Sequence, residues 1–260
     1  MMIAALLPAA MVSAAPAAPS AAIRAAVADP HRSAANRARD PYRHPAETLA
    51  FFGVRPDQTV VEFLPSGGWY TEILAPLLSA KGHYVGLVMR GEKAEGSLAR
   101  LLSGGSDRYR GARAATLDPA TGTSSVPDGS ADVVLTFRNV HNLIMAGGDT
   151  APNSFRAFYR MLKPGGTLGI EDHRLPESMD TAAEMKSGYL KRSTILRLAK
   201  GAGFRLAGES AVNANPKDTH DWPQGVWTLP PTLRLGETDR DKYRAIGESD
   251  RLTLRFVKPR

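Results

Sequence analysis

Apolar and polar positions along this chain follow two periods, and the switches between them mark out its elements. Residues 59–64 form an apolar run interrupted only by Glu62, which reads as a buried strand. The turn Pro65-Ser66-Gly67-Gly68 follows. An amphipathic stretch over 70–78 then places Tyr70, Ile73, Leu74 and Leu77 on one side. The unit strand–turn–helix recurs. Strands are predicted over 83–89, 112–117, 131–137 and 167–171. Helices are predicted over 94–102, 154–162 and 191–201, with Lys163-Pro164-Gly165-Gly166 as one stop signal. Two late strands, 204–212 and 251–258, are close enough in order to form an antiparallel pair at a sheet edge. Regular alternation of this kind predicts an α/β fold with a doubly wound, mainly parallel sheet.

The flanks read differently. Residues 1–20 are apolar and Ala-rich, interrupted at Pro8 and Pro16, and too short to span a bilayer. They resemble the apolar core of a secretory signal, with Val12-Ser13-Ala14 as a small-residue cleavage site but without the usual positive start. A disordered Ala/Pro tail on a cytoplasmic protein is the alternative. Residues 21–58 form a helical segment expected to pack on the core, leaving 59–260 as the main domain. Its stretch 213–250 has no clear period and reads mostly as loop.

Composition narrows the function. The 260 residues carry a formal charge of +7, which favours anionic partners, but no aromatic-and-basic nucleic-acid module interleaves the sequence. There are no cysteines, so disulfides, thiolate metal sites and cysteine nucleophiles are excluded. Neither a Walker loop, nor H-E-x-x-H, nor a G-x-S-x-G elbow is present.

Three segments, TVVEFLPSGGWYTEIL, PDGSADVVLTFRNVHNL and FYRMLKPGGTLGIEDHR, in this order and spacing, resemble class I S-adenosylmethionine-dependent methyltransferases. The fit is best to a bacterial, exported group termed predicted methyltransferases, which carry RDPYRHP-like and FFG-like segments ahead of the first strand. The resemblance implies seven strands, the last antiparallel, with the cofactor over the ends of the first strands. It implies that Glu62 and the turn Pro65, Ser66, Gly67 and Gly68 hold the cofactor's amino-acid end. Asp118, or a backbone group near it, would sit by the adenine, and Tyr70 is placed among the cofactor contacts. Arg138, Asn139 and His141 would face the methyl-transfer region, with His141 as base. Two departures stand out. Leu64 and Ser66 occupy the first two positions of the family's three-glycine pattern, and Val88 or Met89 stands where that pattern ends the second strand with an acid.

Other groups have competing readings. Glu171-Asp172-His173-Arg174 either orients a substrate or cation, or is a set of loop charges paired in solvent; the second reading is preferred and no metal is expected. Asp218, His220, Asp221 and Trp222 read as a lid rather than a metal site. Arg39-Asp40-Pro41-Tyr42-Arg43-His44 either closes over the pocket or forms a solvated helix edge. Of Trp69 and Tyr70, one is expected to touch ligand and the other to anchor the core. The expected function is methyl transfer from S-adenosylmethionine to a small or envelope-associated molecule, in an exported, periplasmic protein. The rival expectation is a protein of the same fold that binds a small molecule without catalysis.

Overall fold

The computed structural model describes residues 18–260, so the expected signal cleavage site lies outside the described residues. Seven strands of five residues or more build one sheet: β1 Thr59–Phe63, β2 His83–Met89, β3 Arg113–Asp118, β4 Ala131–Phe137, β5 Leu162–Leu175, β6 Arg205–Ser210 and β7 Arg251–Val257. They lie in the order β3-β2-β1-β4-β5-β7-β6. The pairs β1/β2, β1/β4, β2/β3 and β4/β5 are parallel, whereas β7 runs antiparallel to both β5 and β6. Two further strips of two residues, Thr123–Ser124 beside β3 and Leu190–Lys191 beside β5, bring the count to nine. They are too short to leave a hydropathy period in the sequence.

Strand alternation divides the core between the two faces. Val61 and Phe63 of β1 join Val134, Phe155, Phe158 and Ile195 in one cluster. Val60 joins Leu49, Phe52, Ile73 and Leu135 in the other. The first face is covered by α8 (Thr150–Met161) and α9 (Arg192–Ala202), the second by α4 (Pro45–Phe51) and α5 (Thr71–Leu78). Helix α6 (Glu92–Gly104) packs beside β2 and β3. Ahead of α4 run the short helices α1 (Ala21–Val27), α2 (Ala34–Arg37) and α3 (Asp40–Arg43); α1 packs on α4 and α5, where its Ile23 is buried.

Three elements differ from the expected set. Helix α7 (Val140–Met145) follows β4 at once, where only a strand end was expected. The Lys163–Gly166 stop signal lies inside β5, which continues to Leu175 through the polar run 171–174. The stretch expected to be loop carries a 3₁₀ turn at Gly225–Thr228 and helix α10 (Arg240–Ile246). Among the described residues no helix is long and apolar enough to cross a membrane.

One glycine of β5 is a packing requirement. A Cβ on Gly169 would lie 2.7 Å from Phe52 Cγ and 2.8 Å from Leu135 Cδ2, both on fully buried side chains. Gly169→Ala is expected to cost about 1–3 kcal/mol. Urea unfolding should show this as a lower midpoint at unchanged slope.

Candidate functional site

The strand order reverses between β1 and β4, and a ligand crevice is expected outside the carboxyl ends of the strands at such a point. A cavity of about 250 Å³ opens there, lined by Ser66, Arg138, Asn139, His141, His173 and Ser249 among others. The stretch 213–250 supplies part of its wall through Trp227, Pro230 and Pro231.

The turn after β1 has the backbone that a glycine pattern would produce, although only its last member is glycine. Leu64 and Ser66 both have φ of 52° and Gly68 has φ of 81°. Holding two non-glycine residues in the left-handed region costs about 1–2 kcal/mol each. Leu64 is packed against the core, which keeps its side chain out of the ligand space, and Ser66 is exposed at the cavity. Pro65 is buried and its carbonyl accepts from Gly68 N–H at 2.8 Å; Gly67 is open, with nothing within 4 Å of a built Cβ.

Asn139 holds this turn against β4. Its Nδ2 donates to the carbonyls of Phe63 at 3.0 Å and Leu64 at 3.3 Å. Its amide nitrogen is therefore spent on the backbone, and it serves the site by positioning.

His141, at the start of α7, meets Asp172 of β5. Asp172 Oδ1 lies 2.8 Å from His141 Nδ1 and accepts from His173 N–H at 2.8 Å. Its Oδ2 accepts from the N–H groups of Val140 at 2.7 Å and His141 at 3.2 Å. Every one of these partners is a donor once the proton sits on Nδ1, so the carboxylate selects that tautomer. Nε2 then has its lone pair and no protein partner among the described residues, at the cavity wall. His173 stands beside it, ring centroids 5.1 Å apart, with its Nδ1 on Ser249 Oγ at 2.5 Å. Burial, then the charges of His141, Arg138, Arg251 and Arg43, hold His173 well below its ordinary pKa.

The preferred reading of residues 171–174 as solvated charges is corrected here. Glu171 and Asp172 are fully buried, Glu171 pairs with Arg251 at 2.8 Å, and Arg174 pairs with Asp250 at 3.4 Å. Their partners come from 31 to 80 positions away, and no local pattern announces such contacts. The Asp172–His141 pair is the contact at the cavity that sequence reading missed. Ligand-bearing atoms of His141, Asp172 and His173 lie within 4.8 Å of one another, a spacing open to a cation, but both oxygens of Asp172 are already occupied by N–H donors.

The remaining residues assigned to the site lie away from the cavity. Tyr70 is buried and stacks on Phe137, ring centroids 3.5 Å apart, so it anchors the core. Trp69 does so too: its Nε1 donates to Asn36 O at 2.9 Å, and the guanidinium of Arg43 lies 4.6 Å from its ring. Asp118 ends β3 and faces Arg90 at 3.7 Å. Val88 is in the core and Glu92, in the first turn of α6, is exposed, so the end of β2 presents Arg90 instead of an acid. Asp218 is a buried hub, accepting from Tyr189 Oη and Trp222 Nε1, and His220 pairs with Asp250 at 3.3 Å. The segment around Arg39 and Arg43 joins the loop before β7, where both meet Glu248 at 2.7 and 3.2 Å.

Glu62 points under α5. Its Oε2 accepts from Tyr84 Oη at 2.6 Å and Thr71 Oγ1 at 3.0 Å. Burial raises its pKa to about 7, against the opposing pull of these two hydroxyls.

No family model matches the chain, and no curated protein matches it. Solved structures do. A S-adenosylmethionine-dependent methyltransferase from Aquifex aeolicus superposes with a TM-score of 0.55 at 15% identity, covering 85% of this chain and 93% of that one. The fold is that of a methyltransferase. CrArsM, an arsenic(III) S-adenosylmethionine methyltransferase from Chlamydomonas reinhardtii, gives 0.52 at 16% identity, with 94% and 75% covered. The (4+2) cyclase SpnF gives 0.56 at 13% identity, with 87% and 82% covered. Identities this low establish architecture and leave chemistry to the site.

Because the folded pKa of Glu62 lies above its ordinary 4.5, the native state holds the proton more tightly than the unfolded chain. The sign follows: stability falls as pH rises from about 4.5 to about 7 and is level above that. The full fall is on the order of 3 kcal/mol. Glu62→Gln should abolish this segment of the pH–stability profile, measured by urea unfolding between pH 4 and 8.

Proposed function

We propose that the chain is a S-adenosylmethionine-dependent methyltransferase acting on a small acceptor, with His141 as general base and Asp172 as its positioning partner. The Asp172–His141 pair, presented at the cavity where the sheet order reverses, carries this reading.

The residues fit the cofactor at one end. The left-handed backbone at Leu64, Ser66 and Gly68 supports a role for the turn in holding the amino-acid part of S-adenosylmethionine, with Ser66 and Gly67 open to it. The cofactor supplies an electrophilic methyl group on a sulfonium. The protein's own part is alignment and proton removal. Ser66, Arg138 and the wall at Trp227 and Pro230 would bound the acceptor. The Nε2 of His141 takes the proton from the acceptor's hydroxyl, amine or carbon acid as the new bond forms. Asp172 keeps the ring in the receptive tautomer and faces the charge that His141 gains.

One observation favours a second reading, small-molecule binding without methyl transfer. The end of β2 offers Arg90 where the family pattern would set an acid against the ribose hydroxyls. Calorimetric titration of the chain with S-adenosylmethionine and S-adenosylhomocysteine separates the two. Micromolar binding, about −8 kcal/mol, is expected; no heat at millimolar ligand from a folded sample would sink the methyltransferase reading. Turnover is read as S-adenosylhomocysteine release with a panel of hydroxyl, amine and carbon-acid acceptors. His141→Ala should lower kcat about 10²–10⁴-fold. Asp172→Asn should lower it in the same direction, and the double variant should be no worse than His141→Ala, because the two act as a unit.

The apolar, Ala-rich N-terminus supports export. Sequencing the N-terminus of natively made protein should find the mature chain beginning near Ala15; an intact Met1 would place it in the cytoplasm.

A further inference from the structure

Beside the His141–Asp172 pair lies a group of buried charges that the proposed mechanism leaves unbalanced. On the α4 side of the sheet, at the carboxyl ends of β4 and β5 and the amino end of the antiparallel β7, the guanidinium groups of Arg39, Arg43 and Arg251 share the carboxylates of Glu171 and Glu248, and Arg138 lies beside them. Glu248 receives Arg39 at 2.7 Å, Arg43 at 3.2 Å and Arg251 at 3.4 Å, and Glu171 receives Arg251 at 2.8 Å. Asp172 points to the other face and is already saturated. The buried nitrogens Arg39 Nη2, Arg43 Nη1, Arg43 Nη2, Arg138 Nε and Arg251 Nε have no acceptor, against a single unpartnered carboxylate oxygen, Glu171 Oε2. One oxygen cannot satisfy five donors, and buried charge without a counter-charge is costly.

Arg138 is the member of this group that reaches the cavity. Its φ of 58° is left-handed, and its N–H donates to Glu171 O at 2.6 Å. Its guanidinium makes no hydrogen bond or ion pair among the described residues, and it lines the cavity together with Ser66, Asn142 and Ser249. At about 250 Å³ the cavity suits the polar head of a ligand better than a whole nucleoside cofactor. The wall also carries the Glu248 carboxylate, which Arg39, Arg43 and Arg251 already share; beside it and the hydroxyl and amide groups, the planar guanidinium of Arg138 matches a carboxylate or phosphate in geometry as well as charge.

We propose that this cavity is an oxyanion site, in which Arg138 takes a carboxylate or phosphate group of the bound ligand and Arg43 and Arg251 supply positive field behind it. The site does not depend on methyl transfer, since no cofactor enters the charge count. Its ligand group belongs either to the acceptor, which would then be an anionic molecule, or to the amino-acid end of S-adenosylmethionine.

The test uses the full chain at fixed ionic strength, with chloride replaced by succinate or inorganic phosphate and binding followed by calorimetry and thermal melting. Saturable one-to-one binding is expected. Arg138→Gln should weaken it at least tenfold, and Arg138→Lys, which keeps charge without the fork, should recover part of the loss. Circular dichroism in chloride confirms that each variant is folded; Arg138→Lys alone against wild type carries the comparison if Arg138→Gln is not. Equal affinity in wild type and folded variants, or no saturable binding, would overturn the proposal. S-adenosylhomocysteine and 5′-methylthioadenosine, which lacks the carboxylate, assign the source. A preference for the former that Arg138→Gln erases puts the cofactor's carboxylate in the site. A preference that survives while succinate binding is lost assigns the site to the acceptor. If neither nucleoside binds but succinate still requires Arg138, the methyl-transfer reading fails and the oxyanion site stands.

Discussion

The site depends on a single carboxylate. Asp172, wholly buried near the end of β5, receives the N–H groups of Val140, His141 and His173 and the Nδ1 of His141. These contacts fasten the first turn of α7 to the neighbouring strand, so the chain turns directly from β4 into a helix that carries His141 at the cavity. The same contacts fix the tautomer that leaves Nε2 receptive. Removing the carboxylate would orphan several buried donors at once, each costing about 1–3 kcal/mol. Structure and proposed chemistry therefore share one anchor.

A second constraint is electrostatic. Glu248 sits among Arg39, Arg43 and Arg251; although burial pushes its pKa upward, their charges overcome this and hold it at about 2. Through that carboxylate the N-terminal segment is tied to the loop before β7, more than 200 positions away in sequence. Part of the chain's positive charge is thus internal: Arg32, Arg43 and Arg251 are among its most deeply buried side chains. Burying more guanidinium than carboxylate beside a cavity sets the sign of what the cavity attracts. Arg43 feels the same crowding: burial and Arg138 lower its pKa to about 9, where it still carries its charge at neutral pH.

The framework was legible in the sequence because it is written in local periods. The apolar runs of β2 and β4 gave their limits to the residue, and the switch to helical spacing after Gly68 located α5 to within one position. The polar end of β5 was not legible in this way. Glu171, Asp172 and His173 look like surface charges when read along the chain, and they are core when α7, the loop before β7 and β7 itself close around them. Helix α7 was missed for the same reason: six residues are too few to establish a period, and its first turn is held by Asp172 from outside.

The sequence by itself determined the alternation of strands and helices, the antiparallel late pair and the position of the turn after β1, since each follows from hydropathy spacing and glycine placement within about ten residues. It also singled out His141 by its place after a buried strand. Only the tertiary structure decided what that histidine is paired with, that Leu64 faces the core while its backbone keeps the left-handed turn, and that Arg138 stands at the cavity wall without an ion-pair partner among the described residues. Those outcomes rest on hydrogen bonds and ion pairs between residues 31 to 209 positions apart. Their energy depends on burial and distance, and neither exists until the sheet is assembled.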